Sequence, residues 1–169
     1  MNEIDLIVRL QHSLSGPAGR AFIGFVARWL IFLYIPFAGF IRLSTAARQA
    51  VYGAGWTALV ALSMSTVLAQ LLGRVRPYLA SPHIQAIVPP NIQDGSFPSS
   101  HTAVAVGIAL ALSQINMPVG VSVGIMAALV AFGRVASGMH FPSDVLGGAA
   151  VGVLAYVLVK AVQEGLTTV

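Results

Sequence analysis

The chain has 169 residues, of which 57% are apolar and 8% are charged, and its formal net charge is +4. A soluble domain carries roughly 25% charged residues, so this composition excludes a water-soluble globule, and the absence of cysteine excludes disulfides and thiolate metal sites. The nine basic residues stand singly rather than on one helix face, which argues against nucleic acid as a partner and favours the bilayer.

The first predicted element is a helix at the N-terminus. Ile4, Ile7 and Val8 fall near one helical face, whereas Asp5 and Arg9 fall on others. This pattern predicts a helix in the plane of the membrane interface, with a frayed terminus as the alternative. The segment starts with two acids and no basic cluster, so we do not expect it to be cleaved as a signal peptide.

Five apolar segments follow along the chain. A membrane-spanning helix needs about 20 apolar residues, and we predict one span from each segment, the third and fourth forming a short hairpin. The fold class is therefore an all-α integral membrane bundle of about five transmembrane helices plus the N-terminal interfacial helix, in a single domain over residues 1–169. The predicted spans are 21–42, 50–73, 102–116, 118–137 and 145–163.

Two pairs of glycines lie in the last two predicted spans. Gly120 and Gly124 are four residues apart, as are Gly148 and Gly152. Small residues at this spacing share one helix face and let helix backbones approach closely. We therefore predict close helix contacts at both pairs.

The longest connection runs from residue 77 to residue 98. It carries five prolines, which lack a backbone donor and interrupt helices. We predict an irregular loop here rather than a sixth span, and the length of the loop indicates a functional role at the membrane surface.

Polar and charged residues gather at the ends of the predicted spans. Spans two and four leave the membrane on the side where spans three and five enter it, so these residues are expected to meet at one membrane face. Ionisable residues at such positions are functional by default. The predicted cluster comprises Arg74, Arg76, Ser99, Ser100, His101, Arg134, His140 and Asp144.

The cluster combines arginines, histidines and a hydroxyl-rich helix start. This combination predicts a binding site for an oxyanion with more than one negative charge, and phosphate fits best. Guanidinium groups bind phosphate oxygens in a bidentate manner, and the free N–H groups of a helix start add donors. Each residue also has a structural alternative. Ser99 can be a simple helix cap, Arg74 an anchor at the membrane interface, and Asp144 a partner of the helix dipole.

His140 and Asp144 are four residues apart, and this pair is the most informative. The carboxylate can reach back to the imidazole and fix its tautomer, which leaves the other ring nitrogen as nucleophile or base. The same spacing suits a metal, but the surrounding arginines repel a cation. His101 is then the candidate general acid for the leaving oxygen.

At these residues the sequence resembles the type 2 phosphatidic acid phosphatase superfamily of membrane lipid phosphatases. Three blocks match in order, and the spacing inside the third block is highly specific. The matching residues are Arg76-Pro77, then Pro98-Ser99-Ser100-His101, then Gly133-Arg134 with His140 and Asp144. The resemblance departs from the family pattern at Ala69, where the family has a lysine, and this leaves Arg74 as a candidate replacement.

The resemblance implies a role for each residue of the cluster. His140 attacks phosphorus, Asp144 orients His140, and His101 protonates the leaving group. Neither a metal nor another cofactor is implied. The implied phosphate ligands are Arg76, Arg134, Ser99 and Ser100.

The short length and the Pro-Ser-Ser-His variant resemble most the bacterial undecaprenyl-diphosphatase branch of this superfamily. The implied substrate is undecaprenyl diphosphate, and phosphatidylglycerophosphate or phosphatidate is the alternative. An anion- or proton-coupled transporter is the alternative from another class, but its charged groups should lie near the bilayer midplane. A non-enzymatic scaffold would not need the histidine pair.

Basic residues in short loops predict the orientation in a bacterial inner membrane. Arg42, Arg48 and Lys160 lie on the face opposite the cluster, against Arg9 and Arg20 on the cluster's own face. The positive-inside rule then puts the opposite face in the cytoplasm and the site on the extracytoplasmic face.

Overall fold

The computed structural model describes residues 2–41, 45–89 and 95–167, and every regular element within these ranges is helical. The predicted all-α class is therefore confirmed. Arg42, which contributes to the predicted orientation, lies outside the described residues. The helices are α1 Glu3–Ser13, α2 Pro17–Arg28, α3 Tyr34–Ile41, α4 Thr45–Leu72, α5 Pro77–Ala80, α6 Ser100–Leu112, α7 Met117–Ala136 and α8 Pro142–Thr167.

Three helical segments of the described chain are long and apolar enough to cross a membrane, and a bent pair makes a fourth if it is counted as one span. The three segments are Ala47–Ala80, Met117–Ala136 and Pro142–Gly165. Helix α6 has 13 residues and so extends about 20 Å, against about 30 Å of hydrocarbon. A multi-pass bundle is therefore supported, whereas the count of five spans stays a prediction.

The first predicted span is broken in the structure. A 3₁₀ turn, Leu30–Leu33, separates α2 from α3, and the two halves are bent by 55°. Pro36 has no N–H to donate to the carbonyl of Phe32, so a continuous α-helix would lack a hydrogen bond at this point. The apolar run 21–42 contains this proline, and its composition alone did not reveal the bend.

Helix α8 packs closely on α6 through glycine. A methyl group at Gly148 would lie 2.5 Å from the carbonyl oxygen of Ser99, and one at Gly152 would meet the carbonyl of Ala103. Close approach at this pair is confirmed. At Gly124 no described atom lies within 4 Å of such a methyl group, so the predicted contact there is wrong.

Helix α1 packs on the end of the bundle that carries the polar cluster. Ile7 is fully buried, in contact with a group that includes Val135 and Phe141. The side chain of Gln11 donates to the carbonyls of Gln85 at 2.8 Å and Ala136 at 3.1 Å. The predicted N-terminal helix is therefore present, and its packing is not that of a frayed terminus.

The Gly148 contact makes a stability prediction. We expect Gly148→Ala to lower the stability of the detergent-solubilised protein by about 1–3 kcal/mol, because the added methyl group meets backbone that cannot move independently. Gly124→Ala is the matched control and should be neutral or slightly stabilising, since its surroundings are open. Thermal unfolding of the two variants measures the difference, and equal melting temperatures would contradict the packing described.

Candidate active site

His140 lies at the centre of the polar cluster, in the loop between α7 and α8. Its Nε2 is 3.3 Å from Nη1 of Arg76 and 3.2 Å from Nη2 of Arg134. Arg76 follows α4, and Arg134 lies in the last turn of α7. The fold therefore brings Arg76 to two residues that lie 58 and 64 positions later in the chain, Arg134 and His140, at one end of the bundle.

A backbone carbonyl determines the tautomer of His140. Nδ1 is 2.7 Å from the carbonyl oxygen of Ser96, and because a carbonyl can only accept, Nδ1 carries the proton. Nε2 then holds a lone pair directed at the two guanidinium groups. Ser96 was absent from the residues predicted for the site, because a backbone acceptor has no signature in the sequence.

Asp144 contacts the backbone beside His140. Its Oδ2 is 3.9 Å from His140 Nδ1, beyond hydrogen-bond distance, and instead accepts the N–H of Phe141 at 2.7 Å. Its Oδ1 pairs with Nη1 of Arg74 at 2.5 Å, and the residue is fully buried. Asp144 therefore does not form the predicted hydrogen bond to the imidazole. It instead holds the backbone of Phe141, the residue that follows His140.

Arg74 forms ion pairs with carboxylates and does not line the cavity at the site. Besides Asp144, it contacts Oε2 of Glu3 at 3.3 Å and Oγ of Ser143 at 2.8 Å, and its guanidinium lies 4.5 Å over the ring of Phe141. The predicted phosphate-binding role is therefore not what this geometry supports. Glu3 of α1, which was not among the residues predicted for the site, is the additional partner.

Burial and hydrogen bonds act in opposite directions on Glu3. Burial raises the pKa of its carboxyl, but the N–H and hydroxyl of Ser143, together with the charge of Arg74, outweigh this and lower the pKa overall. Glu3 is therefore ionised at neutral pH and can complete the ion pair. The N-terminal helix is fastened in this way to the start of α8.

Backbone carbonyls hold both buried arginines in place. Arg76 donates to the carbonyls of Met139 at 3.2 Å and Gly95 at 3.4 Å, and Arg134 donates to the carbonyl of Ala27 at 3.1 Å. Nε of Arg134 is buried without a hydrogen-bond partner among the described residues. The backbone therefore holds both guanidinium groups beside His140.

The three residues at the start of α6 have different positions. Ser99 is fully buried, its N–H donates to the carbonyl of Asp144 at 3.0 Å, and its hydroxyl accepts from Thr102 at 3.1 Å. Ser100 and His101 line the cavity. Ser99 therefore joins the starts of α6 and α8, whereas Ser100 and His101 face the space that a ligand would occupy.

Burial and the positive charges of Arg134 and Arg76 hold the pKa of His140 well below its usual value of about 6.5. The hydrogen bond to Ser96 acts in the opposite direction and is weaker. The imidazole is therefore neutral at pH 7. A neutral ring with an exposed lone pair is the form that acts as a nucleophile.

A cavity of about 1070 Å³ extends from this cluster into the bundle. Its polar end holds both buried arginines and both histidines of the site. Its remainder is lined mainly by apolar residues of α3, α4 and α6. Among the apolar lining residues are Ile35, Val51, Ala54, Leu62, Val104, Ile108 and Leu112. Such a lining suits a molecule with a charged head and an apolar chain.

A family model described as the PAP2 superfamily matches residues 50–167. Undecaprenyl-diphosphatase BcrC of Bacillus subtilis (strain 168) is 32% identical over 111 residues, which is 66% of this chain and 56% of that protein. Phosphatidylglycerophosphatase B of the same organism is 34% identical over 114 residues, which is 60% of this chain and 52% of that protein. The chain thus spans about half the length of the curated relatives it matches.

Two solved structures share the fold. LpxE of Aquifex aeolicus superposes with a TM-score of 0.78 at 22% identity, over 93% of each chain. A transmembrane PAP2-type phosphatidylglycerolphosphate phosphatase of Bacillus subtilis gives a TM-score of 0.65 at 25% identity, over 96% of this chain and 85% of that one.

Proposed function

The chain belongs to the PAP2 superfamily, and from this premise we propose that it is an integral membrane phosphohydrolase that removes phosphate from a lipid phosphate or diphosphate. One observation carries the proposal: a neutral histidine nitrogen, Nε2 of His140, lies within 3.3 Å of the guanidinium groups of Arg76 and Arg134. Two buried cations attract a phosphate to the atom that can attack it.

The proposed reaction begins when phosphate oxygens replace Nε2 as the acceptors of the two guanidinium groups. The lone pair of Nε2 then forms a bond to phosphorus while the bond to the leaving oxygen breaks. His101 supplies the proton that the leaving oxygen takes up. The Ser96 carbonyl, 2.7 Å from Nδ1, stabilises the positive charge that develops on the ring of His140.

The second step hydrolyses the phosphohistidine. His101, now lacking a proton, takes one from a water molecule that attacks phosphorus. The P–N bond breaks, its electron pair returns to Nε2 of His140, and inorganic phosphate leaves. The cavity donors are cationic, so the proposed reaction involves the charges of arginine rather than a metal ion.

Undecaprenyl diphosphate is the proposed substrate, with phosphatidylglycerophosphate or phosphatidate as the second candidate. Relatives named for the first two activities match the chain at similar identity. The apolar cavity lining suits an isoprenoid or an acyl chain equally well. A transporter is disfavoured, because the charged groups lie at helix ends rather than midway along them.

We propose that the site faces the outside of a bacterial inner membrane. Arg48, in the first turn of α4, and Lys160, towards the end of α8, lie on helix ends remote from the cluster. Arg9 and Arg20 lie on α1 and α2. The positively charged residues at the end of the bundle remote from the cluster favour a cytoplasmic location for that end.

Phosphate release by the purified full chain tests the proposed function. The substrates are undecaprenyl diphosphate, phosphatidylglycerophosphate and phosphatidate, each in mixed micelles with and without EDTA. We expect release from all three in EDTA, with the diphosphate fastest. Activity that EDTA abolishes would contradict the metal-free mechanism, and no release from any of them would contradict the function.

A further inference from the structure

Arg28, at the end of α2, lines the same cavity as the catalytic cluster, and the reaction described so far does not use it. The other cavity residues of the broken first span carry no charge; they are Ile31, Phe32, Tyr34, Ile35, Ala38 and Gly39. The part of the cavity wall that this span supplies therefore has a single cation, Arg28, and is otherwise uncharged. Arg28 directly follows Ala27, whose carbonyl contacts Arg134 of the cluster.

The backbone beside Arg28 is fastened to the catalytic cluster. The carbonyl of Ala27 accepts from Nη1 of Arg134 at 3.1 Å, and a methyl group at Gly133 would lie 2.7 Å from the Ala27 nitrogen. Arg28 is therefore one residue from a direct ligand of a catalytic arginine. The close packing of α2 on α7 therefore keeps Arg28 near Arg134 and the proposed phosphate site.

No ion pair of Arg28 occurs within residues 2–41, 45–89 and 95–167; its guanidinium lies 5.2 Å from the ring of Trp29. The described lining of the cavity contains no carboxylate either. An arginine in a membrane helix calls for an anionic partner, because a lone charge there is costly. A phosphate of the ligand can supply that partner.

A lipid diphosphate has two phosphates in line with its apolar chain. When the terminal phosphate lies at His140, the inner phosphate must lie further into the cavity whose wall includes Arg28. Ala69 of α4, which also lines the cavity, offers no cation to this phosphate. Three arginines are among the described lining residues. Arg76 and Arg134 contact His140, and Arg28 is the one without a role in the proposed reaction.

We propose that Arg28 binds the inner phosphate of a lipid diphosphate and makes the site selective for diphosphates over monophosphates. The inference rests on the proposed function. As the bond between terminal phosphorus and bridging oxygen breaks, the electron pair goes to the bridging oxygen, and negative charge grows on the departing lipid phosphate. Arg28 neutralises that charge. A monophosphate ester leaves no phosphate at this position, so Arg28 contributes little to its hydrolysis.

Matched substrates of one chain length test the inference. Farnesyl diphosphate and farnesyl phosphate are given to the wild type, Arg28→Ala and Arg28→Lys, and kcat/KM is measured for each. Arg28→Ala should lower kcat/KM for the diphosphate by about 10- to 100-fold and for the monophosphate by less than about 3-fold. Arg28→Lys should retain most of the preference, because it keeps the charge.

Arg20→Ala is the control, since Arg20 is on the same helix but is not among the cavity residues and donates to the side chain of Gln85 at 3.1 Å. It should leave the ratio between the two substrates unchanged. An equal loss on both substrates in Arg28→Ala, or no loss on either, would overturn the inference.

A binding measurement separates this inference from the proposed function. The full chain is titrated with farnesyl methylenebisphosphonate and with farnesyl phosphonate, neither of which needs to be hydrolysed. We expect the wild type to prefer the bisphosphonate and Arg28→Ala to lose that preference. If this pattern appears while no substrate is turned over, Arg28 keeps its assignment and the phosphohydrolase proposal fails. If turnover is found without any preference in binding or rate, the assignment of Arg28 fails alone.

Discussion

Replacing His140 with alanine should reduce phosphate release by at least about 10⁴-fold, because the variant lacks the atom that attacks phosphorus. The structure supports this expectation through the position of Nε2, which lies 3.3 Å and 3.2 Å from the two guanidinium groups that would hold the phosphate. The measurement is single-turnover and steady-state phosphate release from the best substrate of the panel. Radiolabel from the terminal phosphate should also stay on the wild-type protein as an acid-labile, alkali-stable adduct after rapid quenching.

His83→Ala is the matched control, since His83 is an exposed loop residue outside the cavity lining. It should keep wild-type turnover. The melting temperature of His140→Ala should also be compared with that of the wild type, so that loss of activity is not mistaken for loss of fold. Full turnover in His140→Ala, or an equally stable adduct in that variant, would refute His140 as the nucleophile.

Arg134→Ala should reduce turnover by about 100- to 1000-fold, the usual effect of losing a charged contact to the transition state. Arg134→Lys should be nearly as poor. One guanidinium places Nη1 on the carbonyl of Ala27 at 3.1 Å and Nη2 at His140 at 3.2 Å, while its buried Nε has no partner among the described residues. A lysine has one compact ammonium group and cannot make both contacts together.

The control for Arg134 is Arg9→Ala, because Arg9 is exposed on α1 and is absent from the cavity lining. Turnover should be unchanged in that variant. A lysine at position 134 that restored wild-type rates would show that the planar fork is unnecessary. The geometric account of the phosphate site would then be incorrect, although the role of positive charge would remain.

The positions of the helices and the order of the chemical groups could be read from the sequence, because both depend on local patterns. An apolar run of sufficient length predicts a membrane helix whatever surrounds it. Alternation of direction then places the end of α4, the start of α6, the end of α7 and the start of α8 at one face. This alternation predicts that Arg76, His101, Arg134 and His140 share one face, and in the structure all four line one cavity.

The partners of individual side chains depended on the tertiary structure, since they are set by contacts between distant segments. Ser96 offers its backbone carbonyl to His140, and every residue type has such a carbonyl. Arg74 is paired with Glu3, 71 positions away, and with Asp144 instead of lining the cavity. The sequence had predicted a phosphate as the partner of Arg74 and the ring of His140 as the partner of Asp144. The side chains of Arg74 and Asp144 can form either set of contacts, and the packing of the helices decides which set is formed.

Apolar length and alternating direction were thus sufficient to predict a helical membrane bundle with its arginines and histidines gathered at one end, because burial in lipid imposes the same demand on any such sequence. Three features needed the folded chain: the 55° bend before Pro36, the open surroundings of Gly124, and the presence of Arg28 in the cavity wall. Each depends on how one helix meets another, and a pattern within one helix does not contain that information.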